Sequence, residues 1–183
     1  GDVTALLGPN GAGKSTLIKT LTGEIPSISG QVEILGKTLD SYSRKELAKM
    51  LAIVTTDPIQ AGGLTVRELV GLGRQPHTGF FGRLSETDCK AVESAMVKTG
   101  ISHKAEEYVA ELSDGERQKT MIAKAIAQDT PVIVLDEPFS FLDVAARIEI
   151  LSLLGSISAT GKAILYSSCS AQYPLQEKQY STL

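Results

Sequence analysis

Three features of the sequence predict an α/β fold built on a parallel sheet. First, the apolar run Val3 to Leu7 leads through a glycine-rich stretch into Lys14 to Leu21, where Leu17, Ile18 and Leu21 share one face at helical spacing. Second, the intervening residues Gly8, Pro9, Asn10, Gly11, Ala12, Gly13, Lys14, Ser15 and Thr16 carry the G-x-x-x-x-G-K-[ST] pattern of a phosphate-binding loop. Third, Val132 to Leu135 is a continuous apolar run of the kind buried on both faces of a parallel sheet, and it ends in the acidic pair Asp136 and Glu137. The carboxyl end of such a strand is where an α/β sheet places its ligand site.

The loop's chemistry follows from its residue types. Residues without a Cβ let successive backbone N–H groups converge on one anion, and the start of the following helix adds about half a positive charge. Lys14 would reach the β and γ phosphates of a nucleotide, and the Ser15 hydroxyl would ligate Mg²⁺.

The chain has 183 residues, which suits one domain with a sizeable core and room for an inserted subdomain. A net charge of -3 argues against a nucleic-acid binder, because such domains carry a basic face. Cys89 and Cys169 form no disulfide framework and fit a reducing compartment. No apolar run approaches the roughly 18 residues of a spanning helix. The first strand opens almost at Gly1, which predicts that a segment precedes it.

After the first helix, Thr22 to Gly30 reads as a turn-rich link, and Gln31 to Leu35 alternates like a half-exposed strand ended by Gly36, a small β-addition beside the main sheet. Ser43 and Glu46 form a capping box that opens a short helix to about Met50, followed by the buried strand Leu51 to Val54. Thr65 and Glu68 form a second capping box for a helix through about Leu72. Gly73 to Arg83 is expected to be a loop, and Ser85 caps a long helix closed by Gly100. Leu112 to Glu116 precedes a helix to about Ala127 whose apolar face carries Met121, Ile122, Ala125 and Ile126. After the acidic pair come a short loop, Phe139 to Asp143, a helix, Val144 to Leu154, and a strand, Ala163 to Tyr166. From Cys169 to Leu183 no helical or strand period is visible. His77 and His103 stand without clustered partners and are assigned to no metal; the charges from Lys104 to Glu107 read as a solvated face.

The phosphate loop, the acidic pair after an apolar strand, and Leu112-Ser113-Asp114-Gly115-Glu116 opening a helix ahead of that strand together closely resemble the ATP-binding cassette ATPases. The resemblance implies a P-loop NTPase fold: a RecA-like parallel-sheet core, residues 1–56 and 128–183, with an inserted α-helical subdomain, residues 57–127, and with its N-terminal β part truncated. It implies ATP and Mg²⁺ as ligands, Asp136 as a Mg²⁺ ligand beside Ser15, and Glu137 as the general base that orients and deprotonates the attacking water. Ser113, Asp114, Gly115 and Glu116 resemble the family signature, which binds the γ-phosphate held by the opposite subunit. That implies a head-to-tail homodimer. Phe141-Leu142-Asp143 looks like the D-loop, with Asp143 as a contact across the dimer.

Gly63 to Val70 followed by Gly71 to His77 resembles the iron-siderophore, heme and cobalamin importer branch. The implied function is the ATP-hydrolysing subunit of an importer, peripheral on the cytoplasmic side of the inner membrane. Its partners would be membrane permease subunits and, indirectly, a substrate-binding protein. A soluble cassette ATPase acting on nucleic acid or ribosomes and an inactive nucleotide-binding remnant are the rival expectations.

Two positions depart from the family pattern. The glutamine expected shortly after the strand Leu51 to Val54 is replaced by Thr56, with Gln60 displaced, so Gln60, Thr56 or Asp57 would have to serve. The histidine expected after the strand Ala163 to Tyr166 is replaced by Cys169, whose thiol is a weak donor. A truncated or frame-shifted end is the expected cause, and the adenine-stacking aromatic of the family's N-terminal part has no counterpart, which predicts weakened ATP binding.

Overall fold

The computed structural model describes residues 1–55, 63–79 and 82–169, and the backbone of 180–182. Its centre is an all-parallel sheet in the order β4-β5-β6-β1-β7, formed by β1 (Val3–Leu7), β4 (Leu51–Val54), β5 (Val132–Leu135), β6 (Ala163–Ser168) and β7 (Tyr180–Thr182). A separate antiparallel hairpin is made by β2 (Glu33–Ile34) and β3 (Lys37–Thr38). Leu35 and Gly36 turn it with φ of 52° and 76°, as a two-residue hairpin loop with both central residues left-handed requires.

Helix α1 (Lys14–Leu21) follows β1, and α2 (Arg44–Met50) leads into β4. The helices α3 (Val66–Gly71), α4 (Glu86–Thr99) and α5 (Asp114–Ala127) pack on one another, and α6 (Val144–Ser158) connects the acidic strand to β6. Capping boxes open α2 at Ser43, α3 at Thr65, α4 at Ser85 and α5 at Ser113, each with both reciprocal bonds. Gly100 closes α4 in the left-handed conformation at φ 70°, where a Cβ is unfavourable.

One apolar cluster runs from the sheet, through Ala5, Ile133, Leu135 and Ile164, into the helical layer at Leu69, Val92, Met96 and Ile122. A second, on Leu6, Ile18, Ile34, Leu51 and Val134, seats α1 and the hairpin on the opposite face. Because adjacent residues of a strand point to opposite faces, Leu6 and Ala5 divide between the two clusters. A sheet covered on both faces needs continuous apolar strands, which is why β4 and β5 show no polar alternation.

The structure differs from the sequence expectations in five places. The strand expected over Gln31 to Leu35 holds only at Glu33–Ile34, because Leu35 already turns the hairpin. The loop expected from Gly73 begins instead within a 3-10 helix, Leu72–His77. Only glycine fits at position 73, because a Cβ there would lie 2.3 Å from the Lys124 carbonyl oxygen. Helix α6 continues past Leu154 to Ser158, since Gly155 takes helical backbone and Ile157 remains buried. Strand β6 extends two residues further, through Ser167 and Ser168, whose backbones pair with Leu6 and Leu7. The C-terminal stretch, without period in sequence, supplies β7 beside β1. The Thr56, Asp57 and Gln60 positions lie outside the described residues.

The helical layer is tied by a buried ion pair. Arg74 Nε donates to Asp88 Oδ1 at 2.8 Å, and a second guanidinium nitrogen donates to the Ala127 carbonyl at 2.8 Å. Both side chains are about nine-tenths buried. The hydroxyl and amide of Ser85 and then Arg74 hold the Asp88 carboxyl down to about 2. A carboxylate whose native pKa is lowered stabilises the fold fully above its ordinary range and loses that contribution as pH falls toward its native pKa. Stability of the helical layer should therefore decline between about pH 4 and pH 2. Asp88→Ala, which strands the buried guanidinium, should lower the unfolding free energy in urea titrations by about 3 to 5 kcal/mol.

Candidate functional site

The glycine loop leaves β1 at Leu7, whose register partner is Ser168, and the Gly8 amide donates to the Ser168 carbonyl at 3.3 Å. Gly11 and Gly13 have φ of 82° and 89°, and a Cβ built on either would touch nothing within 4 Å. Backbone conformation, and not space, therefore requires glycine at both. Gly13 is the N-cap of α1 and no side chain caps that helix, so its first amides face the loop without a capping acceptor. With the helix dipole they make an anion cradle.

Lys14 is buried at 4% exposure although it is a lysine. Its ammonium donates to the carbonyls of Gly8 at 2.9 Å and Pro9 at 3.1 Å, and lies 3.5 Å from Glu137 Oε1. These contacts compensate its desolvation. Asn10, Gly11, Gly13, Lys14, Ser15, Thr16 and Glu137 line one open cleft of about 430 Å³.

The acidic pair comes from β5. The Asp136 amide donates to the Val54 carbonyl at 2.8 Å, which extends the β4–β5 pairing by one residue. Asp136 is buried, and its Oδ1 accepts the Ser167 hydroxyl at 2.6 Å. Glu137 sits at φ 45°, a region that non-glycine residues seldom occupy, and its amide donates to the same Ser167 oxygen at 2.8 Å. Its Oε2 accepts from the Ser140 hydroxyl at 3.2 Å. The tertiary structure thus joins Lys14 and Ser15 to Glu137 across three strands. Ser167 was invisible in sequence; the signal that finds it is the register of β5 against β6.

The other candidate residues stand apart from this cleft. Ser113 caps α5: its hydroxyl donates to Glu116 Oε2 at 2.7 Å and its amide donates to the same oxygen at 2.9 Å. Those bonds, with Lys104 and His103 nearby, hold the Glu116 carboxyl below its ordinary range. Lys104, in the run read as a solvated face, bonds Glu107 at 2.9 Å and approaches Glu116 at 3.7 Å. Asp114 pairs with Arg117 at 2.9 Å, and Gly115 lies against α6, where its Cβ would meet that of Ala146 at 3.6 Å. Asp143 caps α6 by accepting the Ala146 amide at 2.8 Å. Cys169 is exposed and, with Glu137, Phe139, Ser140, Arg147, Ser167 and Ser168, lines a small cavity of about 60 Å³. His77 Nε2 donates to the Gln128 carbonyl at 2.8 Å.

A phosphate cradle after β1, set beside acids at the end of β5 in an all-parallel sheet, defines a P-loop nucleotide-binding protein. Residues 1–140 match the ABC transporter family, and the chain belongs to it. It is 43% identical over 166 residues to the iron(3+)-hydroxamate import ATP-binding protein of Bacillus subtilis, covering 90% of this chain and 62% of that protein. It is 40% identical over 158 residues to the ferric enterobactin transport ATP-binding protein of Escherichia coli, covering 86% of this chain and 58% of that one. Among solved structures it is similar to cbiO1 of Clostridium perfringens, part of the ABC transporter complex cbiONQ. That match has a TM-score of 0.79 at 32% identity, over 92% of this chain and 67% of the other. The chain thus spans about three fifths of the length of the two curated relatives.

Gly13→Ala should lower the unfolding free energy by about 1 to 2 kcal/mol, the cost of a left-handed residue with a Cβ. Gly155→Ala, in helical backbone with open space around it, should be neutral or stabilising by up to about 1 kcal/mol. Chemical denaturation of the two variants checks the contrast.

Proposed function

We propose that this chain is the ATP-binding and ATP-hydrolysing part of a subunit that energises an importer for an iron-siderophore, heme or cobalamin. The observation that carries the catalytic part is the 3.5 Å approach of the Lys14 ammonium to Glu137 across the glycine-loop cleft. The substrate class is supported by relatives whose names specify iron-hydroxamate, enterobactin, achromobactin, petrobactin and cobalamin transport.

In the described geometry Lys14 bonds its own loop carbonyls, so a triphosphate seated in the cradle exchanges those bonds for bonds to phosphate oxygens. The amides at the start of α1 take the remaining phosphate charge. Ser15 and Asp136 offer the oxygen donors that Mg²⁺ requires, and the buried Asp136 carboxylate, already fixed through one oxygen, fits that task. When bound, Mg²⁺ would neutralise charge on the transferred phosphoryl group. Glu137 then accepts the proton of the attacking water, with Ser140 restraining its other carboxylate oxygen.

Ser113, Asp114, Gly115 and Glu116 lie outside the cleft of their own chain, in keeping with a head-to-tail dimer in which they meet nucleotide on the opposite subunit. Asp143 would contact the partner across the same interface. Residues 57–127 form the subdomain that meets the permease, with residues 1–56 and 128–183 as the nucleotide-binding core. The subunit works on the cytoplasmic face of the membrane, and a substrate-binding protein delivers cargo to the permease.

Glu137→Gln should preserve ATP binding and lower turnover by about 100-fold or more; turnover near the wild-type rate would remove Glu137 from the role of base. Lys14→Ala should weaken binding of a fluorescent ATP analogue by about tenfold or more, since a charge-assisted contact of roughly 1.5 to 3 kcal/mol is lost. Cys169→His places an imidazole donor in the cavity beside Glu137 and should raise phosphate release by about tenfold or more.

A further inference from the structure

Strand β6 lies between the strand that feeds the glycine loop and the strand that ends in the acidic pair, and Ser167 on it belongs to neither motif. It is completely buried, at 0% exposure. A buried hydroxyl needs partners to offset its desolvation. Ser167 spends both of its capacities on the acidic pair: it donates to Asp136 Oδ1 at 2.6 Å and accepts the Glu137 amide at 2.8 Å.

The parallel register sets this contact. Leu135 pairs with Tyr166, so one further step along both strands brings Asp136 alongside Ser167, while on its other side Ser167 pairs with Leu6. The 2.6 Å separation lies in the short range of hydroxyl bonds to an ionised oxygen. Such a bond restricts rotation of the Asp136 carboxylate. The bond to the Glu137 amide holds the residue at φ 45°, a conformation that persists only where its surroundings enforce it.

We propose that Ser167 is the positioning residue of the acidic pair: one hydroxyl orients the carboxylate that would hold Mg²⁺ and fixes the backbone turn that aims the general base. This rests on the roles given above to Asp136 and Glu137. Groups that orient a metal ligand through a hydrogen bond typically change metal affinity or activity by about 10- to 100-fold when removed.

The test is Mg²⁺-dependent binding of a fluorescent ATP analogue by the full chain, with melting temperatures measured alongside. S167A should raise the Mg²⁺ concentration for half-maximal effect by about tenfold or more, while leaving binding in EDTA unchanged. S167T keeps the hydroxyl and should retain the wild-type Mg²⁺ requirement. S167V matches threonine in shape without the hydroxyl and should behave as S167A, so the Thr and Val pair carries the comparison even where S167A fails to fold. Lower melting temperatures with an unchanged Mg²⁺ requirement in S167A and S167V would overturn the inference and leave the functional proposal standing. A wild-type chain that binds no nucleotide would overturn both.

Discussion

The site depends on the parallel pairing of β6 with β1 on one side and β5 on the other. The glycine loop and the acidic pair are far apart in the chain and have no local means of finding each other. Pairing of Leu7 with Ser168 and of Leu135 with Tyr166 sets both motifs at the same edge of the sheet, separated by one strand. A slip of one residue in either pairing would reverse the faces of the strand's side chains, moving buried Ile164 and Tyr166 away from the core cluster they occupy. Apolar packing on both faces of the sheet therefore fixes the chemistry's geometry.

Charge is handled inside this frame by close compensation. Lys14 is enclosed by two carbonyl oxygens and faces Glu137, and Asp136 leans on Ser167. Arg74 and Asp88 do the same for the helical layer, where the guanidinium also reaches the carbonyl at the end of α5. The end of α5 is tied further: Gln128 donates to the Ala48 and Leu51 carbonyls at 2.7 and 3.1 Å, which links the helical layer to the start of β4. Buried polar groups in such sets are stable as complete networks and costly when one member is removed.

Membership in the ABC transporter family places the cleft in context, and the chain's own residues refine it. The glycine loop is intact and its helix is open at the start. Glu116 engages the Ser113 hydroxyl within its own helix cap, which sets a carboxylate at the start of α5. Cys169 lines the small cavity beside Glu137.

Much of this was legible in the sequence because the signals were local. The capping boxes at Ser43 and Thr65, the cap at Ser85, the strands Leu51–Val54 and Val132–Leu135, and the helix end at Gly100 each depend on residues within a few positions of one another, so residue type and spacing determine them. The phosphate loop is of the same kind, since glycine at Gly11 and Gly13 is required by their own φ. Other features required the folded chain. The polar ends of β6 and the strand β7 have no apolar period, and their backbones become strand by hydrogen-bonding to β1. Likewise Lys14 meets Glu137, and Ser167 meets both acids, only after the sheet forms, because hydrogen bonds between strands distant in sequence leave no pattern in either strand alone.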